Sequence, residues 1–175
     1  MKMKVRPTGV ERVMREDDFI VSKTNPKGII TYCNEIFMEF AQLPEEELVG
    51  KQHNVIRHPD MPRAVFRLLW QTLQDGREFN GFIKNLSADG GHYWVFANVT
   101  PSKDAEGRLL GYYSVRRKPS QAGIRWFETL YARMLEAEQA AGAAAAISAS
   151  TPLLMQALDE VKRGYNEQVY ALQFG

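Results

Sequence analysis

The strongest constraint on the fold of this chain is a series of three strand-like segments joined by two short, glycine-containing turns. The segments read EFNGFIKNLS at 78–87, HYWVFANVTPS at 92–102 and LLGYYSVRRK at 109–118. ADGG at 88–91 and KDAEG at 103–107 separate them, and short loops of this composition are typical of β-hairpins. Because a hairpin joins two neighbouring antiparallel strands, these segments predict an antiparallel sheet.

A further hairpin and several short helices precede these strands. DFIVSKT at 18–24 and IITYC at 29–33 flank the turn sequence NPKG, which is favourable for a tight turn. The sequence from Asn34 to Gly76 then indicates short helices. Asn34 is placed to cap the first of them, and Pro62 is placed to start the last.

The order of two strands, short helices and three strands predicts an α+β fold, with a five-stranded antiparallel sheet covered on one face by the helices. This domain is predicted to span 18–118. Residues 1–17 are predicted to form an N-terminal cap segment. The Pro-Ser pair at 119–120 marks the boundary of a helical extension over 119–175.

Two amphipathic helices are predicted in this extension, joined by the small-residue segment 142–150. Thr151 and Pro152 are typical of a helix start, and predict that the second helix begins there. The two apolar stripes are Ile124, Phe127, Leu130, Tyr131 and Met134, and Leu154, Leu158, Val161, Tyr165, Val169 and Leu172. The helices can fold back as a hairpin within one chain or pair between two chains. The heptad-like second stripe favours a homodimer, because a monomer with an exposed stripe would present a large apolar patch.

Composition and charge exclude several classes of protein. The net charge of +1 gives no electrostatic reason to expect nucleic-acid binding or attraction to an anionic membrane. Cys33 is the single cysteine, so the chain forms no internal disulfide and no cysteine-based metal cluster. Neither a secretory signal nor an apolar run of the roughly 20 residues that a membrane helix needs is recognisable. We therefore expect a cytoplasmic protein without direct membrane insertion.

The stretch HNVIRHPDMP at 53–62 is unusually rich in hydrogen-bonding side chains and is stiffened by two prolines. Arg57 offers a planar set of donors for a phosphate or a carbonyl, and Asp60 can hold Arg57 or His58 in place. The same residues could instead form only a surface ion pair, which contributes little. Trp70 on an apolar helix stripe could belong to the core, and Asn85 could be solvent-exposed. His53 could only cap a local turn.

The element order resembles that of a PAS domain, a sensor module whose helices and sheet enclose a ligand pocket. HNVIRHPDMP, followed by Trp70, IKN, DGGHYWVFANVTP and GYYSVR, resembles the aerotaxis-receptor type of PAS domain. The resemblance implies non-covalent FAD binding, with flavin-holding positions at Arg57, His58, Asp60, Trp70 and Asn85. It also implies a role in signalling for Asn34.

The chemistry of these residues is compatible with a flavin. The chain has no glycine-rich dinucleotide motif opening a helix, so a Rossmann-type site is excluded. Apolar and aromatic walls suit the flat ring, and donors suit its polar edge. On the predicted strand, Asn85 shares a face with Ile83, and an inward amide there must find hydrogen bonds. Trp70 can stack on the ring or on the adenine.

We therefore expect an FAD-binding sensor of redox state or oxygen in bacterial signal transduction, of the aerotaxis or chemotaxis kind, and not an enzyme. Family members typically continue into a membrane anchor and a kinase-controlling coil, and neither pattern is found here. The expected output partner is thus a separate chemoreceptor or kinase-control protein. A haem sensor, with His53 or His58 as axial ligand, and a ligand-free dimerisation scaffold are the alternatives. Cys33 follows the second predicted strand, which disfavours blue-light adduct chemistry.

Overall fold

The computed structural model of this protein describes residues 5–175. Two strands open the fold, β1 at Ile20–Thr24 and β2 at Ile30–Cys33. Helices α1 at Glu35–Ala41 and α2 at Glu45–Leu48, a 3₁₀ helix at His53–Ile56 and α3 at Arg63–Gln74 follow. Then come β3 at Phe79–Leu86, β4 at His92–Lys103 and β5 at Leu109–Arg117. The chain ends with α4 at Gln121–Val161 and α5 at Tyr165–Phe174.

The five strands form one antiparallel sheet in the order β2-β1-β5-β4-β3, which confirms the predicted fold class. The last strand, β5, lies between β1 and β4, so the predicted hairpin β1–β2 pairs with the three-stranded unit β3–β4–β5. In this register Ser22 lies opposite Ser114, and Ile20 lies opposite Arg116. Residues far apart in the sequence therefore share the inner face of the sheet, which α1, α3 and the 3₁₀ helix cover.

Local signals place the helices where the sequence predicts them. Asn34 caps α1, because its side-chain oxygen accepts a hydrogen bond from the backbone N–H of Phe37 at 3.1 Å. Pro62 directly precedes α3, and Gly76 follows its end with a positive φ of 74°.

The N-terminal segment lies along the turn between β3 and β4. The backbone N–H of Thr8 donates to the carbonyl of Gly90 at 2.9 Å, and that of Arg12 donates to the carbonyl of His92 at 2.8 Å. Residues 1–4 of the predicted cap segment lie outside the described residues. The boundaries after residues 17 and 118 remain predictions.

The C-terminal extension covers the outer face of β3 and β4. Phe127 stacks on Phe82 at 5.1 Å between ring centroids, and Tyr131 stacks on Trp94 at 6.3 Å. The Tyr131 hydroxyl donates to the carbonyl of Phe82 at 2.9 Å. The first half of α4 is thus part of the folded domain.

Two details of the predicted extension are wrong. The second helical segment does not begin at Thr151-Pro152, because α4 bends at Gly142 and is helical again from the next residue. Gly142 has φ 74° and ψ 171°, a conformation open to glycine, and the alanines after it favour a helix. The predicted stripe from Leu154 to Leu172 is also not one helix, since α4 ends at Val161 and Lys162 adopts a left-handed conformation.

The two segments of α4 pack within one chain as a hairpin. The Ser150 hydroxyl in the second segment donates to the carboxylate of Glu138 in the first at 2.7 Å. Leu154 and Leu158 are buried in the core of the same chain, as is Val169 of α5. Most of the apolar stripe that favoured a homodimer in the sequence is therefore covered intramolecularly, and Val161 stays 36% exposed.

By length and composition alone, α4 is apolar enough to cross a membrane, with a mean hydropathy of 1.3 in its most apolar stretch. Only 22% of that stretch is buried, whereas the earlier part of α4 packs on the sheet through Phe127 and Tyr131. The cytoplasmic location remains a prediction.

Candidate functional site

A cavity of about 180 Å³ lies between the inner face of the sheet, α3 and the 3₁₀ helix. Protein interiors contain few voids larger than one water molecule, which occupies about 30 Å³, so this space is large enough to be a binding site. Its walls are mainly apolar and include Ile56, Phe66, Leu69, Leu73, Ile83 and Val99. Its polar lining includes Gln52, His53, Arg57, Asn85, Ser114 and Arg116.

Of the predicted flavin-binding residues, Arg57, Trp70 and Asn85 line this cavity. An isolated antiparallel bridge joins Arg57 directly to Asn85, so the HNVIRHPDMP stretch is attached to the free edge of β3. The Arg57 guanidinium lies over the Phe66 ring at 4.2 Å and donates to the carbonyl of Met61 at 2.9 Å. Burial lowers the pKa of Arg57 from its ordinary value.

Trp70 forms the mouth of the cavity. Its ring meets Tyr112 edge-on at 5.4 Å, and 36% of the residue is exposed. A Cβ atom added at Gly28, in the turn between β1 and β2, would lie 3.3 Å from the Trp70 ring. The indole is therefore a wall and a lid of the cavity rather than a core side chain.

Asn85 points inward from β3 and is only 5% exposed. Its side-chain amide makes no hydrogen bond to another residue within 5–175. Because the side chain lines the cavity, its donor and acceptor are available to a ligand there.

The remaining two predicted residues, His58 and Asp60, lie outside this cavity. His58 is 3% exposed, its Nδ1 accepts from the backbone N–H of Asp60 at 3.1 Å, and its ring packs edge-on against His92 at 5.8 Å. Burial lowers the pKa of His58 to about 4, against the opposing charge of Asp60. Lys84 of β3 donates to the Asp60 carboxylate at 2.8 Å. These contacts brace the stretch against β3 and β4, and a direct contact with flavin remains a prediction.

Asn34 also lies outside the cavity, but it connects strand β1 to α1. Its side-chain oxygen accepts from the backbone N–H of Val21 at 2.9 Å, and its amide donates to the carbonyl of Phe19 at 2.7 Å. Helix α1 carries Phe37, whose ring stacks on His53 of the cavity wall at 5.8 Å. The signalling role of Asn34 remains a prediction.

Arg116 was not predicted, and it is the most unusual residue of the site. It is 2% exposed, and its Nη2 donates to the Ser22 hydroxyl at 2.6 Å. Its Nε and Nη1 have no hydrogen-bond partner among the described residues. The guanidinium lies over the Phe37 ring at 4.4 Å, and burial lowers the pKa of Arg116 to about 10. The alternation of GYYSVRR could have identified it, since Arg116 shares the face of Tyr112 and Ser114.

His53 completes a chain of hydrogen bonds that starts at Arg116. The Ser22 hydroxyl accepts from Arg116 and forms a hydrogen bond of 3.1 Å with Nε2 of His53. Burial, and next the charge of Arg116, lower the pKa of His53 to about 3. The interpretation of His53 as a local cap therefore misses its main contact, which is with β1.

Metal chemistry has little support in this part of the molecule. No group of three or more metal-ligating side chains occurs among the described residues. Cys33 is buried at the end of β2 and does not line the cavity.

Comparisons with known proteins agree with this architecture. The chain is 38% identical over 118 residues to the Aerotaxis receptor of Escherichia coli, covering 67% of this chain and 23% of that protein. It is 31% identical over 87 residues to Biofilm dispersion protein BdlA of Pseudomonas aeruginosa, covering 49% of this chain and 21% of that protein. This chain thus spans less than a quarter of the length of these curated relatives.

Solved structures share the fold. A light-oxygen-voltage domain studied with a flavin analogue superimposes with a TM-score of 0.56 at 20% identity, covering 63% of this chain and 83% of that one. Residues 30–116 match the family described as PAS fold. Residues 30–116 of this chain therefore form a domain of the PAS fold family, and this domain is similar to that of the aerotaxis receptor.

Proposed function

We propose that this protein is an FAD-binding sensor of redox state or oxygen, which signals to a partner protein by a change of conformation. A bound flavin would supply reversible electron transfer. The protein's own residues would hold the ring, exclude water and respond to its charge. Its role is that of a signalling domain and not that of an enzyme.

The observation that carries this proposal is the buried Arg116 at the polar end of an otherwise apolar cavity. A cation removed from water is costly unless hydrogen-bond acceptors compensate it, and two of its nitrogens lack acceptors among the described residues. Asn85 adds an unpaired amide at the same cavity. A ligand with carbonyl or nitrogen acceptors matches these donors, while Phe66 and Trp70 suit the faces of a flat ring system.

The relatives support a flavin over other ligands. The most similar protein described above is an aerotaxis receptor, and a structural neighbour was studied with a flavin analogue. For FAD in particular, the support is the resemblance of HNVIRHPDMP to the aerotaxis-receptor type, together with Arg57. Four N–H donors of its guanidinium remain after the bond to Met61, and they suit an anionic pyrophosphate.

The identity of the ligand is tested by denaturing the purified protein and separating the released chromophore by chromatography. We expect a yellow protein that releases FAD. Release of FMN would contradict the dinucleotide, and a red-brown protein would show a haem sensor. A colourless protein after expression with ample flavin would support the ligand-free scaffold.

We infer that the chain also forms a homodimer, now through the sheet instead of the tail. The outer face of β1, β2 and β5 is not covered by α4 or α5, and Tyr32 and Tyr113 on it are 44% and 37% exposed. Lys23 lies between them, 5.9 Å and 5.7 Å from the two rings. Light scattering at micromolar concentration should give a dimer mass, and Tyr113→Glu should give a monomer. A monomeric unsubstituted chain would contradict this inference.

A further inference from the structure

Glu138 joins three separate elements through one buried carboxylate. It is 7% exposed and accepts from the backbone N–H groups of Arg63 at 2.9 Å and Ala64 at 3.1 Å. These are the first residues of α3, whose preceding residue Pro62 provides no side-chain cap. The same carboxylate accepts from the Ser150 hydroxyl at 2.7 Å. A residue of the C-terminal extension thus caps the helix that forms the cavity wall.

Helix α3 connects the two residues that Glu138 caps to the wall of the cavity. Phe66, Leu69 and Trp70 all line the cavity and lie on this helix. The donors to Glu138 are one turn before Phe66. Because a helix moves as a rigid element, a displacement of these walls also displaces the N–H groups that the carboxylate accepts from.

On its other side, Glu138 holds the returning segment of α4. That segment, 143–161, begins at the Gly142 bend, and its buried residues next to Glu138 are small, Ala146 and Ser150. Small side chains bury little apolar area, so hydrogen bonds make up a larger share of the attachment here. The Arg63 side chain adds one more contact, a donation to the carbonyl of Ala143 at 3.4 Å.

We propose that Glu138 is a positioning residue that couples the state of the cavity to the docking of the first turns of that segment, residues 143–150. When the cavity walls on α3 shift, the two bonds from the helix N-terminus weaken, the carboxylate moves, and the bond from Ser150 weakens with it. The segment then opens at Gly142 and becomes available to a partner. The identity of the cavity occupant in this coupling rests on the proposed flavin function. The hydrogen bonds that attach Glu138 to α3 and to Ser150 do not depend on that function.

The attachment is tested by amide hydrogen exchange on the flavin-depleted full chain. Glu138→Gln replaces one acceptor oxygen by an NH₂ group, which cannot accept from a backbone N–H. One N–H partner loses its acceptor and the remaining bonds lose the carboxylate charge. We therefore expect exchange at Arg63, Ala64 and 143–150 to accelerate, by at least about tenfold at the N–H that loses its acceptor. The control Glu136→Gln, on the exposed side of the same helix, should match the unsubstituted chain.

Ser150→Ala separates the two sides of the carboxylate and serves as a second test if Glu138→Gln fails to fold. It should accelerate exchange in 143–150 and leave Arg63 and Ala64 protected. Exchange in Glu138→Gln equal to that in Glu136→Gln would overturn the proposal. Full protection of 143–150 in Ser150→Ala would overturn it as well.

The coupling is tested by comparing flavin-loaded and flavin-depleted protein, with the absorption spectrum reporting flavin binding independently. In the unsubstituted chain and in Glu136→Gln, exchange in 143–150 should be slower by about fivefold or more in the flavin-loaded form, because a bound flavin holds the cavity walls on α3 in place. In Glu138→Gln this ratio should fall to one, and by reciprocity the flavin dissociation constant should rise by the same factor. An unchanged ratio in a flavin-loaded Glu138→Gln protein would overturn the coupling and leave the proposed function standing. A chain without flavin absorption would overturn the proposed function and the coupling together.

Discussion

Arg116 lies in the inner face of the sheet with a single hydrogen bond, to Ser22, and an aromatic contact with Phe37. A fully buried guanidinium with unpaired nitrogens is unfavourable for the empty protein, because the desolvation of its charge is not offset. Residues that lower stability without a structural benefit are typical of binding sites. The same residue should therefore affect stability and ligand binding in opposite directions.

Replacing Arg116 tests this directly. Arg116→Met removes the charge at similar volume, and we expect the free energy of unfolding of the flavin-depleted protein to rise by about 1–4 kcal/mol. Flavin binding should weaken by about 1–3 kcal/mol, because the donors to the ring edge are lost. Urea unfolding and flavin titration measure the two quantities, with the exposed neighbour Arg117→Met as control. A destabilised variant that keeps full flavin affinity would make Arg116 a structural residue.

Replacing Trp70 and replacing His58 should weaken flavin binding in different ways. Trp70→Ala removes a cavity wall, so flavin binding should weaken by about 1–3 kcal/mol while far-ultraviolet circular dichroism stays unchanged. His58→Ala should also reduce flavin occupancy, but together with the melting temperature, because the buried His58 ring braces the loop against His92. Full flavin occupancy in both variants would place the binding site elsewhere.

At the scale of elements, the Gly142 bend decides whether α4 returns onto its own domain. The sequence around it, AAGAAAA, otherwise favours an uninterrupted helix. The φ of 74° and ψ of 171° at Gly142 are accessible essentially only to glycine. The bend thus depends on glycine, which has no Cβ atom, at position 142.

Gly142→Ala should straighten α4, so that its second segment packs on another chain as a domain swap. Straining the bend costs about 1–3 kcal/mol, whereas a straight helix satisfies alanine and lets 143–175 pack on a partner domain. In a Tyr113→Glu background, which removes the sheet dimer, we expect a concentration-dependent increase in a swapped dimer by light scattering. Gly164→Ala is the matched control, because Gly164 has an ordinary φ of −67° and open space around it. Equal masses for the two variants would contradict the role of Gly142.

At the scale of the whole molecule, neutral buried histidines make stability depend on pH. The folded-state pKa values of His53 and His58 are about 3 and about 4, well below the ordinary value of 6.5. The unfolded chain therefore binds protons below pH 6.5 that the folded chain does not. Stability from these groups is present above pH 6.5 and is lost as pH falls towards 4.

Urea unfolding between pH 7 and pH 5 measures this loss. Each histidine contributes a slope of at most about 1.4 kcal/mol per pH unit, so together we expect a loss of about 2–4 kcal/mol. The carboxylates with lowered pKa values, such as Asp60 and Asp89, act in the same direction but only near pH 4 and below. His58→Gln should remove about half of the slope above pH 5. A constant free energy of unfolding over this range would contradict the neutral state of both rings.

Local chemistry was sufficient for most of the fold. Asn34 caps a helix within three residues of itself, and Gly76 and Gly107 adopt the positive φ values that their turns require. Strand alternation and hairpin loops determine antiparallel pairing between consecutive segments. These features act over a few residues, so the sequence by itself determined the element types, their order and the α+β class. Of the five positions that the resemblance implied, Arg57, Trp70 and Asn85 line the cavity, whereas His58 and Asp60 do not.

Long-range geometry was decided only by the tertiary structure. Arg116, Ser22 and His53 meet because β5 inserts beside β1, and no local pattern specifies which two hairpins become neighbours. In the sequence, Glu138 is one more polar residue on a helix. In the fold it lies between the start of α3 and the segment of α4 that returns after the Gly142 bend. The physical reason is that hydrogen-bond satisfaction and burial are properties of the assembled packing. Short-range propensity fixes the elements, and the burial of their apolar faces against each other fixes which polar groups are left facing the cavity.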